Sequence, residues 1–167
     1  MAKSKKGPVV YEYDEPLSIL SEPAVKYETL NVILGGKQKH LKSVSRDFDL
    51  INLTREGVKK STLKTLAAYL GITMETMSSL LHTSYRNIQR KDDDSLLDTL
   101  KTERVLELAS FVQRGVEVIG NKDAFAEWIQ SPLIALGNKK PLDFLDTSFG
   151  IQLLTKLLGR LEQGVFS

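Results

Sequence analysis

Apolar residues in the middle of the chain recur at three- and four-residue spacing, which is the period of an amphipathic helix. The pattern predicts three consecutive helices between residues 48 and 81. Gly57 ends the first helix, and Thr73 caps the third. Ser61 caps the second helix and Gly71 ends it. The apolar faces are Phe48, Leu50, Ile51 and Leu53; Leu63, Leu66, Ala67 and Leu70; and Met74, Met77, Leu80 and Leu81.

A short polar helix is predicted after a break at His82 and Thr83. Ser84 is its expected N-cap. Ile88 is the expected core anchor, because it is apolar within an otherwise polar segment. The side chains expected on the exposed surface of this helix are Tyr85, Arg86, Asn87, Gln89, Arg90 and Lys91.

The back half of the chain predicts three further helices. The acidic run 92–94 is expected at the N-terminus of a long helix, where carboxylates offset the helix dipole, and Gly120 ends that helix. Asn121 caps the next helix, which ends before Pro132, and Thr147 caps the last one. Their apolar positions are Leu97, Leu100, Val105, Leu108, Val112, Val116 and Ile119; Phe125, Trp128 and Ile129; and Ile151, Leu154, Leu158, Leu161 and Val165. No segment alternates as a strand does, so the predicted fold is all-α.

Three segments are predicted along the chain. Residues 1–45 contain a basic arm and a part that the pattern assigns poorly, with one or two short helices between residues 17 and 34. Residues 46–91 form a helix-turn-helix domain. That domain is packed or linked to a helical domain of residues 92–167.

Composition excludes several kinds of chemistry. The 167 residues include no cysteine and two histidines, which excludes disulfides and thiolate chemistry and predicts no metal site. No nucleophile–base pair or phosphate-binding loop is present, so we expect neither an enzyme nor a bound cofactor. No apolar run is long enough for a bilayer and no signal peptide follows the basic start, which predicts a cytoplasmic protein without a membrane partner.

Charge divides the chain unevenly. The first 91 residues carry 15 basic and nine acidic side chains, whereas residues 92–167 carry eight basic and 12 acidic ones. The basic residues of the first half favour nucleic-acid binding there, and the acidic second half would then have a different function. Solvated charges that fell this way by chance explain the division equally well.

The chemistry of the polar helix favours DNA. An apolar-faced helix, a tight turn and a capped helix are the order of a DNA-binding helix-turn-helix. Arginine pairs with guanine, asparagine and glutamine pair with adenine, and the Ser84 hydroxyl with the first amides can meet a phosphate. A solvated surface helix without a DNA partner has the same polarity and stays an alternative. The predicted DNA-binding residues are Ser84, Tyr85, Arg86, Asn87, Gln89, Arg90 and Lys91.

Two segments resemble known antitoxins. Residues 84–90 resemble the S-x-R-T-L-x-R motif of Xre-like antitoxins, with Asn87 in place of threonine and Ile88 in place of leucine. Residues 128–165 are similar to the toxin-binding domain of the Xre/MbcA/ParS family, and the resemblance as a whole covers residues 46–167. The matched positions of the back half are Trp128, Ile129, Pro132, Leu136, Gly137, Pro141, Leu145, Thr147, Gly150, Leu157, Leu158, Arg160, Gly164 and Val165, with Glu103, Arg104 and Gly120 upstream.

Several of these positions also have a purely structural interpretation. Trp128 is predicted to anchor the core, and Gly137 with Asn138 permits a left-handed turn. Pro141 starts a short helix, and Gly150 lets a neighbouring helix approach. None of these roles requires a ligand.

The resemblance implies an antitoxin paired with a RES-type toxin, which degrades NAD or uses it to modify a target. It implies toxin binding through the last helices and repression of the operon by the complex, with operator DNA and a hetero-oligomer as partners. We also expect a homodimer, because a few base contacts per protomer give modest specificity. The last helix, with Phe149, Leu153 and Leu157 beside its core face, has apolar residues to spare for a dimer or toxin interface.

The C-terminal segment is the predicted toxin contact. Gly164 ends the last helix, and Val165 and Phe166 either fold back or bind a partner. In the sharper hypothesis the segment enters the NAD site of the toxin. Glu162 or the Ser167 carboxylate would take the diphosphate position, and the Phe166 ring would fill a nicotinamide or adenine pocket. The predicted toxin-binding residues are Arg160, Glu162, Gln163, Gly164, Val165, Phe166 and Ser167.

One alternative explains the front half equally well. A stand-alone helix-turn-helix transcriptional regulator with a C-terminal dimerisation or sensing domain would have the same charge pattern and the same polar helix. An adjacent gene for a RES-type protein would distinguish the antitoxin from this regulator.

Overall fold

The computed structural model describes residues 27–36 and 44–164, and over these ranges the chain forms eight α-helices, two 3-10 helices and no β-strand. The all-α prediction is therefore confirmed for this part of the chain. The α-helices are α1 (Glu28–Ile33), α2 (Asp47–Glu56), α3 (Thr62–Leu70), α4 (Met74–Leu80), α5 (Tyr85–Gln89), α6 (Thr99–Ile119), α7 (Lys122–Gln130) and α8 (Ser148–Glu162). The 3-10 helices Ile134–Leu136 and Pro141–Phe144 lie between α7 and α8.

The long helix α6 organises the fold. It packs against α1, α2, α3, α7 and α8. Val105, Leu108 and Val112 lie on its fully buried face, which explains why this helix carries apolar residues at helical spacing. Because the helix-turn-helix and the C-terminal helices both contribute to the same core, the two predicted domains are packed together.

Helix α1 belongs to the poorly assigned first segment and packs on this core. Leu30 and Ile33 are buried, and the Asn31 side chain exchanges two hydrogen bonds with the backbone of Val44, at 3.0 and 2.8 Å. The predicted arm, residues 1–16, lies outside the described residues. The division of the chain at residues 45 and 91 stays a prediction.

Most predicted N-caps are confirmed by a hydrogen bond. The Thr73 hydroxyl accepts from the Thr76 amide at 3.2 Å, and the Asn121 side chain accepts from the Ala124 amide at 2.8 Å. The prediction for Ser61 is wrong in its mechanism. Ser61 precedes α3, but its backbone is already helical and its hydroxyl makes no capping bond.

The acidic run 92–94 does not begin the long helix, which corrects the prediction. Helix α6 starts at Thr99, and its N-cap is Asp98, whose carboxylate accepts from the Lys101 amide at 2.9 Å. Residues 93–97 instead pair with residues 57–61, where the Lys60 and Leu97 amides donate to Ser95 and Val58 carbonyls at 2.9 and 2.8 Å. A pairing between segments so far apart leaves no periodic signal.

Glycine and asparagine allow two tight connections in the C-terminal half. A Cβ on Gly150 would overlap the carbonyl oxygen of Phe144, so the prediction of a close approach is confirmed. Gly137 and Asn138 have φ of 65° and 61°, which confirms the left-handed turn. The left-handed turn follows the first 3-10 helix, and the close approach at Gly150 packs the end of the second 3-10 helix against the first turn of α8.

The aromatic anchor of the C-terminal half is Phe125. This ring is fully buried, and a Cβ on Gly115 would overlap it. Trp128 is half-buried and stacks on Phe125 with 6.0 Å between ring centroids. Phe125 is therefore the main aromatic anchor of this half, and Trp128, which was predicted for this role, is less deeply buried.

Candidate functional sites

Helices α4 and α5 form the predicted helix-turn-helix. The turn between them passes through His82, whose φ is 54° and whose side chain is exposed. The Ser84 hydroxyl accepts from the Asn87 amide at 3.2 Å, so the predicted cap is confirmed. Ile88 is 1% exposed and fastens α5 to the core, as predicted. With its hydroxyl engaged as a cap, Ser84 keeps lone-pair capacity for one further contact.

The exposed face of α5 is polar and cationic. Arg86, Asn87, Gln89 and Arg90 are exposed, and Tyr85 is half-buried. Within residues 27–36 and 44–164, no carboxylate forms an ion pair with Arg86 or Arg90. Two guanidinium groups without an acidic partner are free to bind an anion such as a DNA phosphate or a guanine edge.

Lysines of the front half meet the acidic run of the back half. Lys59 pairs with Asp94 at 2.8 Å, and Asp93 pairs with Lys64 at 2.6 Å and Lys60 at 3.4 Å. Hydrogen bonds from the Lys64 and Lys60 ammonium groups hold the pKa of Asp93 below its ordinary value of 3.8. Two carboxylates thus offset two of the three positive charges of these lysines, and the exposed cationic side chains at α5 are Arg86 and Arg90.

A second exposed surface is apolar and lies on α8. Ile151, Leu154 and Leu158 point into the core, whereas Phe149 is 83% and Leu153 is 46% exposed. The wide apolar arc expected from the sequence is present. Exposed aromatic and aliphatic side chains on one helix face are typical of a protein-binding surface.

Phe149 also lines a groove of about 950 Å³ between the end of α4, the start of α6 and the start of α8. Leu100, which was expected on the buried face of α6, is 79% exposed and lines this groove instead. That expectation was wrong because Leu100 lies in the first turn of the helix, beyond the core. The acidic side chains of the lining are Asp98, Glu103, Glu107 and Asp146.

The predicted toxin-binding residues are described only up to Gly164. Arg160 and residues 162–164 are exposed, and Val165, Phe166 and Ser167 lie outside the described residues. Glu162 is paired with Arg114 of α6, including a hydrogen bond of 3.2 Å. This exposed ion pair ties the end of α8 to α6.

Neither a metal site nor a membrane segment is found in the described part of the chain. No three acidic or histidine side chains are grouped there so as to hold a metal ion. None of the described helices has the length and apolarity to cross a bilayer.

Two family models match the sequence and divide it as the two surfaces do. Residues 49–110 match the antitoxin Xre-like helix-turn-helix domain. Residues 114–164 match the antitoxin Xre/MbcA/ParS C-terminal toxin-binding domain. A relative from Sphingobium sp. (strain YBL2), named Prs ADP-ribosylating antitoxin, is 32% identical over 129 residues, which are 71% of this chain and 81% of that protein. The chain belongs to the Xre/MbcA/ParS antitoxin family.

Further relatives match shorter parts of the antitoxin. The antitoxin Xre of Yersinia enterocolitica is 30% identical over 80 residues, which are 47% of this chain and 54% of that protein. A crystal structure of the MbcT–MbcA toxin–antitoxin complex of M. tuberculosis matches with a TM-score of 0.48 and 24% identity, covering 65% of this chain and 96% of that one.

Sequence reasoning missed the groove of the antitoxin and the structural role of Arg104, which it named only as a matched position. This arginine is buried, and it hydrogen-bonds to elements on both sides of the groove. The signal was present in the sequence, since Arg104 lies four and seven residues before Leu108 and Phe111, on the buried stripe of α6. A charged residue on such a stripe indicates buried partners.

Proposed function

We propose that this antitoxin binds and neutralises a RES-domain, NAD-consuming toxin and represses its own operon by binding DNA. The observation that carries the proposal is the match of residues 114–164 to the toxin-binding domain, on which the exposed apolar face of α8 lies. The antitoxin partners are therefore a RES-type toxin and operator DNA, in a hetero-oligomer built on an antitoxin homodimer.

The toxin contact of this proposal combines the exposed apolar face of α8 with the C-terminal segment. Phe149 and Leu153 are the large exposed apolar side chains of α8, and their removal from water by a partner would stabilise a complex. The segment from Arg160 through Glu162 to Ser167 then reaches the NAD site of the toxin. One relative is named an ADP-ribosylating antitoxin, and ADP-ribosylation consumes NAD, which supports a toxin that acts on this dinucleotide.

The ion pair of Glu162 is compatible with this role. Both partners are exposed, with side-chain exposures of 51% for Glu162 and 37% for Arg114. An exposed pair of this kind contributes about 0–1 kcal/mol, so little free energy is needed to release the carboxylate toward a cationic toxin site. Release would leave the α8 core contacts of Leu154 and Leu158 in place.

The DNA contact of the proposal is the exposed face of α5. Arg86, Asn87, Gln89 and Arg90 reach base edges or phosphates, with Ser84, Tyr85 and Lys91 at the edges of the same surface. Each competent base contact contributes about 1–3 kcal/mol of discrimination. The support is the polar exposure of this helix, its match to an Xre-like helix-turn-helix, and two arginines that form no ion pair with the described residues.

Removal of residues 162–167 separates the two activities. We expect the shortened chain to fold and to bind the DNA upstream of its own gene as the full chain does, but to lose protection against the toxin encoded by the neighbouring gene. Growth of cells that co-express toxin and antitoxin measures protection, and fluorescence anisotropy measures DNA affinity. Without the toxin, the purified antitoxin should leave NAD unchanged.

The matched control keeps the tail and removes the arginines of α5. Arg86→Ala combined with Arg90→Ala is expected to weaken DNA binding about 30-fold or more while protection is retained. Survival of cells that carry the shortened antitoxin would refute the tail-insertion model. Loss of protection by the arginine variant would contradict the assignment of α5 to DNA.

A further inference from the structure

Arg104 joins the helix-turn-helix to the C-terminal helices through buried hydrogen bonds. The residue is 9% exposed, and its guanidinium donates to the Leu80 carbonyl at 3.1 Å, to the Leu145 carbonyl and to the Glu107 carboxylate at 2.7 Å. Three acceptors on three separate elements hold one planar donor group. Arginine suits this position because its five donors have a fixed fork geometry.

The two carbonyls that Arg104 binds lie at helix ends. Leu80 is the last residue of α4, and Leu145 directly follows the second 3-10 helix. Carbonyls at a helix C-terminus lack an intrahelical partner, and a cation there interacts favourably with the helix dipole. One guanidinium therefore donates to one carbonyl at the end of each of two helices, and these helices belong to different matched domains.

Glu107 extends the connection to α8. Its Oε2 atom accepts from Arg104 and also from the hydroxyl of Ser148, at 3.1 Å, the first residue of α8. Phe149, the most exposed residue of the apolar face, follows Ser148 directly. A chain of contacts thus runs from the apolar face of α8 through Glu107 and Arg104 to the end of α4.

The end of α4 determines where the recognition helix lies. Four residues separate Leu80 from the first residue of α5, and the connection includes the left-handed His82. Helix α5 has five residues and one buried anchor, Ile88, so its own core contacts constrain its orientation weakly. A shift of the Leu80 carbonyl would therefore turn the DNA-contacting face.

We propose that Arg104 is a positioning residue that couples the partner-binding face of α8 to the orientation of the recognition helix α5. Occupation of the face around Phe149 shifts Ser148 and the backbone at Leu145, and the Arg104 fork transmits this shift to Leu80. The consequence for DNA affinity rests on the proposed function, whereas the structural coupling does not. By linkage, DNA binding changes the affinity for the partner by the same factor.

Amide hydrogen exchange of the purified full chain tests the coupling without DNA or toxin. Arg104→Lys keeps the positive charge but reaches fewer of the three acceptors. Because a hydrogen bond to a charged group contributes enough to change an opening equilibrium about tenfold or more, amides of residues 80–89 should exchange at least tenfold faster. Amides of residues 151–158 in the middle of α8 should be unaffected.

Lys101→Met is the matched control. Lys101 also forms an ion pair across three residues of α6, with Asp98, but it makes no hydrogen bond to α4 or α8. We expect wild-type exchange at residues 80–89 in this variant. An equal acceleration throughout the Arg104→Lys chain would show a general loss of stability and would overturn the proposal, as would unchanged exchange at residues 80–89.

Ser148→Ala provides a second variant if Arg104→Lys does not fold. Ser148 is exposed, and its replacement leaves the bonds from Arg104 to both carbonyls intact. In the wild type, toxin binding should change the affinity for the upstream DNA about fivefold or more, and in Ser148→Ala this ratio should approach one. A wild-type ratio retained by Ser148→Ala contradicts the coupling, whereas failure of the wild type to bind toxin contradicts the proposed function.

Discussion

The two candidate surfaces differ in how their helices are held. Helix α5 has five residues and one buried side chain, Ile88. The predicted contact residues on this helix are all polar. Helix α8 has 15 residues, three large buried side chains and large apolar groups left on its outer face. The short helix depends on its surroundings for its position, whereas the long helix is fixed by its own core contacts.

The difference indicates different partners. A polar helix whose arginines have no acidic partner among the described residues gains little by binding an apolar surface, but its donors match phosphates and base edges. An exposed phenylalanine and leucine gain free energy when another protein removes them from water. The predictions below test whether each surface has its own partner.

The largest effect is expected from Ile88→Ala. The change removes the only buried side chain of α5 and leaves a cavity, which costs about 2–5 kcal/mol. DNA affinity should fall strongly, because α5 detaches from the core while α8 stays folded. Denaturant unfolding and hydrogen exchange of α5 measure the loss. Toxin binding that decreases as much as DNA binding would show that the two surfaces are not separable.

A smaller effect is expected from placing charges on the outer face of α8. Phe149→Asp with Leu153→Asp should weaken toxin binding by about 2 kcal/mol or more, roughly 30-fold, as loss of interface anchors does. Stability and DNA affinity should stay near those of the wild type because both side chains are exposed. Calorimetric titration with the toxin provides the measurement.

A charge control on α8 is Gln152→Asp, which adds one carboxylate, half of the charge added by the double variant, at an exposed polar position of the same helix. We expect nearly unchanged toxin affinity for this variant. Equal weakening by the control and by the double variant would mean that charge, and not apolar contact, determines the interaction.

The smallest effect concerns Asp93 beneath the helix-turn-helix. Its pKa is lowered in the folded chain, first by Lys64 and then by Lys60, so its ionised form is favoured by folding. The resulting stabilisation is present above the ordinary pKa of 3.8 and is lost as the pH falls through the lower folded value. The difference in unfolding free energy between wild type and Asp93→Asn should therefore be positive at pH 7 and vanish on acidification. A difference that grows on acidification would contradict this assignment.

The elements of the antitoxin followed from local signals. Thr73, Ser84, Asn121 and Thr147 mark helix starts because each side chain caps an amide three residues later, and such a bond depends on nearby sequence only. Ile88 was also predictable from nearby sequence, because it is the apolar residue in an otherwise polar segment. The exposed face of α5 could also be predicted, because its side chains are polar.

The features that the sequence did not reveal depend on contacts between distant segments. The acidic run 92–94 faces Lys59, Lys60 and Lys64, about 30 residues earlier, and this pairing overrides its favourable interaction with a helix N-terminus. Arg104 meets carbonyls 24 and 41 residues away. Because no periodicity encodes such distances, the groove and its buried arginine required the three-dimensional structure.

The pairing of residues 57–61 with residues 93–97 brings together the two ends of the segment that contains α3, α4 and α5. A Cβ on Gly57 would lie 2.7 Å from the Leu97 carbonyl oxygen, so the two backbone segments are in contact at this point. The segment between them, residues 62–92, therefore enters and leaves the core at one junction, and its helices pack on the same core as the C-terminal helices. A side chain larger than hydrogen at position 57 would consequently displace both ends of this segment at once.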